Sequence, residues 1–134
     1  MLGGMAVTAI VKVLNTAICN GELDGFSGRA YKYEKNENVT GEYIAVNHLP
    51  FVHRDVVGEG VVNINIHVPE TATHEPNTKL LDKYAAKIAS LFPEGTYIDP
   101  AYYEFLTDGR PTLDDDKTYY INLQLNVIFN NLIQ

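Results

Sequence analysis

The chain has a single cysteine, Cys19. An internal disulfide is therefore excluded, and nothing in its thiol content points to an oxidising compartment. Basic residues are also few, with 10 Lys and Arg against 17 Asp and Glu, for a net charge of −7. They are scattered along the chain, so there is no polybasic arm to grip a phosphate backbone. No run of roughly 18 apolar residues occurs, the length a membrane-crossing helix needs. Residues 1–18 are apolar but lack a basic leading region and contain Lys12. They read as an amphipathic helix rather than a signal peptide, so the cytoplasm is the expected location.

The short signatures of catalysis are missing too. There is no glycine loop for phosphates, no Gly-x-Ser-x-Gly elbow, no His-Glu-x-x-His and no Cys-x-x-Cys. A metal reading would gather His48, His53 and His67 with Asp55, but no pair of histidines has the tight spacing of a zinc site. Asp114, Asp115 and Asp116 are contiguous rather than alternate, and no mid-loop glycine or late glutamate follows as in a calcium loop. They read as a solvated acidic loop. Glu70, Glu75 and Asp82 fall on a loop and on a wet helical face, which does not make an acid–base pair. Cys19 reads as a small half-buried hydrophobe. No enzymatic activity, cofactor or metal is expected.

What is present is a domain's worth of patterned chain. The 134 residues are 46% apolar, enough for one core and a single domain spanning 1–134. Val7, Ile10, Val11, Leu14 and Ile18 recur at helical spacing and predict a helix over 5–20, closed by Gly21. Residues 29–34 and 42–48 read as short strands, the second stopped by Pro50. Residues 58–68 read as the clearest strand, with Val62, Ile64, Ile66 and Val68 on one side and Val61, Asn63, Asn65 and His67 on the other. Asn77 is a candidate cap for a second helix reaching Leu91, striped by Leu80, Leu81, Tyr84 and Ile88. Residues 101–106 read as a strand, and 118–129 as a long closing one with Ile121, Leu123, Leu125 and Val127 inward. The order α-β-β-β-α-β-β predicts an α+β fold, a mostly antiparallel sheet of four to five strands with two helices on one face.

The outward faces of the two long strands carry Asn63, Asn65, Asn122, Gln124 and Asn126, polar yet almost without charge. Neutral amides can bond to another subunit without the cost of desolvating an ion. These five residues are the candidate subunit interface; the alternative is a plain polar solvent face. Nine tyrosines divide between ordinary strand positions and interface positions.

The order of elements resembles the tail terminator, or tail completion, proteins of long-tailed bacteriophages. The resemblance rests on the N-terminal helix leading into Gly28-Arg29-Ala30-Tyr31 and the short apolar strand Tyr43-Ile44-Ala45-Val46. It rests also on the alternating strand 61–68 that runs through a proline-containing loop into the helix 78–91, and on the closing strand 119–129. These patterns cover most of the chain. The resemblance implies a structural protein that caps the tail tube and joins tail to head as a homo-oligomeric ring, expected to be a hexamer. Its partners would be the tail tube protein and the head connector protein, with no specific nucleic acid binding and no membrane. It would stand in the host cytoplasm during assembly and then at the tail–head junction of the virion. An acidic surface suits a lumen that DNA passes without adhering. The competing functions are a small ligand- or peptide-binding module, or another head–tail connector or neck protein.

Overall fold

Two strands of thirteen residues form the spine of the molecule, β4 (Val57–Pro69) and β8 (Thr118–Asn130). They pair antiparallel from Val57 opposite Asn130 to Pro69 opposite Thr118. In that register Val62, Ile64 and Ile66 stand beside Leu125, Leu123 and Ile121, so the aliphatic residues of both strands share one face. The computed structural model describes residues 1–54, 57–93 and 95–130.

The remaining elements are α1 (Leu2–Cys19), β1 (Ala30–Lys32), β2 (Tyr43–His48), β3 (Val52–Arg54), α2 (Thr78–Ser90), β5 (Thr96–Ile98), β6 (Ala101–Asp108) and β7 (Thr112–Leu113). The sheet runs β1-β2-β4-β8-β6-β5, with β3 paired to β4 and β7 to β8. The α+β class is as the sequence indicates. The sheet itself differs from the expected four to five mostly antiparallel strands. Among the described residues it has eight strands, and it is mixed, because β1 runs parallel to β2. The link 33–42 between them is long enough to return the chain to the start of β2 rather than fold it as a hairpin. Two of its residues take left-handed backbone conformations, Tyr33 (φ 66°) and Gly41 (φ 84°). The strands missing from the sequence reading, β3, β5 and β7, span three, three and two residues, too short for alternation to register.

Both helices cover the same aliphatic face. Ala6, Val7, Ile10 and Leu14 of α1 and Leu81, Tyr84 and Ile88 of α2 form one buried cluster with Val62, Ile64, Ile66, Leu123 and Leu125. Each fully buried aliphatic side chain contributes about 1.5–3 kcal/mol. α1 begins with no side-chain cap, and ends where Gly21 takes φ 74° so that its N–H and that of Glu22 close on the carbonyls of Ile18 and Ala17. α2 is capped by Asn77, whose side-chain oxygen accepts from the Leu80 N–H at 3.3 Å. Gly28 lets the chain pass over the Glu42 backbone carbonyl, which a Cβ there would strike.

Candidate functional site

Among the described residues no helix covers the other face of the sheet, and pairing decides what meets on it. β2 sets Asn47 beside Asn63, and β8 sets Gln124 beside Asn63 and Asn122 beside Asn65. The result is a hydrogen-bonded amide ladder. Asn63 Nδ2 donates to Asn47 Oδ1 at 2.9 Å, and Gln124 Nε2 to Asn63 Oδ1 at 3.0 Å. Asn122 Nδ2 donates to Asn65 Oδ1 at 2.8 Å and to Asn63 Oδ1 at 3.2 Å. All five residues singled out from the sequence lie on this face, half-buried. Asn126 stands further along, opposite Val61 and Glu104, outside the ladder. Asn47 joins it unforeseen, because only the β2–β4 register reveals its place.

At one end of this face the ladder gives way to an aromatic stack. His67 lies flat against Tyr43, with ring centroids 4.1 Å apart and planes 11° off parallel, and tilts against Tyr120 on its other side at 5.0 Å. The His67 side chain is buried, as is Thr118 beside it. Asp116 is the hub of the group. Its Oδ2 accepts from the Tyr43 hydroxyl at 2.6 Å and meets Lys35 Nζ at 3.2 Å; its Oδ1 accepts from the Thr118 hydroxyl at 2.5 Å and the Thr118 N–H at 3.1 Å. Lys35 Nζ also stands 4.9 Å from the Tyr43 ring centroid. Burial alone would raise the Asp116 pKa, but the bonds from Thr118, Tyr43 and Lys35 outweigh it and hold the carboxyl well below its usual range. Tyr43 is pushed the other way, by burial and then by its bond to Asp116. Burial lowers the pKa of His67, against the opposing pull of Asp116 and Asp114.

This network assigns the His67 tautomer. With Asp116 ionised, the Thr118 hydroxyl spends its proton on Asp116, so Thr118 Oγ1 accepts the 3.0 Å bond from His67 Nδ1. The neutral imidazole therefore carries its proton on Nδ1 and keeps a lone pair on Nε2. Being neutral, it makes no ion pair with Asp114 Oδ2, 3.7 Å from Nδ1. A pocket of about 510 Å³ opens over the stack, rimmed by Tyr33, Glu34, Glu37, Asp114 and Asp115. The acidic run is thus more than the solvated loop expected: Asp116 is locked into the fold, and Asp114 Oδ1 accepts from the Asp115 N–H at 2.7 Å.

The histidines gathered by the sequence reading part company. His48 pairs with Val62 on the helix side and bonds to the Tyr33 hydroxyl, whereas His67 is on the open side. The side chain of His53, and Asp55, lie outside the described residues. Instead His67, Asp114 and Asp116 each place one ligand-type atom within 4.8 Å of the others. A divalent ion there would compete with Lys35 and with every donor Asp116 already holds. Glu70 bonds to His74 at 2.7 Å and Glu75 to Thr73 at 2.7 Å, so neither is poised as an acid–base pair. Cys19 is exposed rather than half-buried, with its sulfur 3.8 Å from an Arg29 guanidinium nitrogen. It sits on the last turn of α1.

A second surface belongs to α1. Although polar residues interrupt it, so that no unbroken apolar run occurs, the helix is by length and mean hydropathy (1.6) apolar enough to cross a membrane, and 33% of it is buried. Its outer side lines a groove of about 990 Å³ with Met5, Ala9 and Val13 on one wall and Ile98, Pro100 and Tyr103 on the other. Met5 is 47% exposed. The helix is amphipathic as its sequence indicates: Ala6, Val7, Ile10 and Leu14 are buried, and its outer side is mixed, with Met5 exposed beside Thr8, Lys12 and Thr16.

No family model matches the chain, and no curated protein matches it in sequence. Among solved structures, a protein whose name states no function is 16% identical with a TM-score of 0.55, over 78% of this chain and 81% of that one. That likeness shows the fold alone.

Proposed function

We propose that this chain is a structural subunit that works by assembling with copies of itself into a ring, as a tail terminator does when it caps a phage tail tube and joins it to the head. The observation that carries the reading is the open groove between α1 and the β5–β6 turn, walled by Met5, Ala9 and Val13 and by Ile98 and Pro100. A patch of that kind on a small acidic protein calls for a partner surface. A closed ring supplies one, because each subunit offers two different patches that meet head to tail. The amide face is the second patch, polar and nearly uncharged: Asn63, Asn65, Asn122 and Gln124 are held by their own bonds, and Asn126 lies beyond them on the same face. A net charge of −7 suits the wall of a DNA conduit. In this reading the tail tube and head connector proteins are the outer partners, and the chain acts in the host cytoplasm before entering the virion.

The runner-up is a small ligand- or peptide-binding module, favoured by the same groove, which an apolar peptide could fill. A head–tail connector of another type would use the same surfaces. Met5→Glu separates the readings. It puts a charge in the groove on a residue that is already half in water, so the monomer folds. Ring assembly predicts that the variant loses its oligomer by light scattering; a binding module predicts one unchanged monomer mass for both proteins.

A further inference from the structure

We propose that the acidic, tyrosine-walled pocket above His67 receives an arginine side chain from a partner protein. The first ground is charge. Glu34, Glu37, Asp114, Asp115 and Asp116 surround the pocket, with Lys35 as its lone cation. Lys35 is spent on Asp116 and on the Val39 carbonyl, at 3.2 and 3.0 Å. Among the described residues, the other four carboxylates have no lysine or arginine within ion-pair distance. A bound cation would complement them.

The second ground is His67, only 5% exposed. Its Nδ1 proton goes to Thr118, and its Nε2 lone pair has no hydrogen-bond partner among the described residues. No fully buried side-chain nitrogen or oxygen there lacks a partner, so Nε2 is reached from the pocket. The site thus offers an accessible ring-nitrogen acceptor, on a side chain otherwise buried, as well as carboxylates, and what it lacks is a donor.

The third ground is the walls. Lys35 over Tyr43 shows that this corner already seats one cation against a ring. Tyr33 and Tyr120 leave further aromatic surface on the same pocket. A guanidinium combines a flat face for stacking with a fork of donors for carboxylate and imidazole, which an ammonium does not. It needs no bond from Asp116, whereas a divalent ion bridging His67, Asp114 and Asp116 would compete with Lys35 for that carboxylate.

The test is a titration of the full chain with N-acetyl-arginine amide, followed through the side-chain NMR signals of His67, Tyr43 and Tyr120. Its neutral isostere N-acetyl-citrulline amide is the control. The expected result is a saturable shift with arginine, with a Kd on the order of millimolar, as about 4 kcal/mol of binding implies. Citrulline should bind at least about tenfold more weakly, the loss of about 1.4 kcal/mol. Asp114→Asn with Asp115→Asn, changes at the rim, should weaken arginine binding severalfold while leaving the tyrosine signals of the free protein in place. Equal shifts with citrulline, no saturation, or indifference to the double variant would overturn the proposal. So would saturation of the His67 signal by zinc or manganese alone with arginine silent, which would make this a metal site. None of these readouts involves α1, so their failure leaves ring assembly to be judged separately.

Discussion

Asp116 and His67 make the acid stability of the molecule a matter of single residues. Asp116 titrates below its ordinary value of 3.8 because its ionised form is the one its neighbours bind. The stability it contributes is complete above that value and is lost as pH falls through and beneath it. His67 titrates below its ordinary 6.5, mainly because burial disfavours the charged ring. Protons therefore favour the unfolded chain there too, and stability falls as pH drops under 6.5. Urea midpoints should decline from neutral pH towards pH 3, and Asp116→Asn should flatten the part of that decline below about pH 4. An unchanged slope in the variant would mean that Asp116 is not the hub. Alternation along 58–68 placed His67 on the open face correctly. Its sandwich between Tyr43 and Tyr120 was out of reach, because it depends on the registers of β2 and β8 against β4.

Elements were legible in proportion to their length. The two thirteen-residue strands and both helices announce themselves, since each repeats its pattern several times. Ile64 is the sharpest check on the core they build: fully buried between β2 and β8, it should cost about 2–5 kcal/mol as Ile64→Ala in chemical denaturation. A cost under about 0.5 kcal/mol, normal for a surface site, would contradict the packing. The Asn77 cap is a smaller term; Asn77→Ala should cost about 1 kcal/mol. The parallel turn of β1 against β2 was hidden because local pattern gives a strand's faces but not its direction relative to a neighbour. The amide face belongs to this scale as well. Asn65→Lys with Gln124→Lys breaks two rungs and sets two charges opposite the polar strip, yet leaves the aliphatic side of each strand intact. Circular dichroism should remain that of the folded chain while assembly is lost. Undiminished assembly would show the face to be plain solvent surface.

At the scale of the whole molecule, the account turns on one side of the sheet being sealed by helices while the outer flank of α1 and the amide strip remain open. The sequence carried the polar strip in its alternation. It did not carry the groove, whose far wall comes from β5, β6 and the turn between them, all brought beside α1 only by the folded sheet. The proposed ring would bury both kinds of patch at once, so neither surface would have to be large by itself. Sedimentation equilibrium of the purified chain over a wide concentration range tests this most directly. A discrete closed multiple of the 14.9 kDa subunit, expected to be six, is the predicted mass, and a single-subunit mass at every concentration would contradict it.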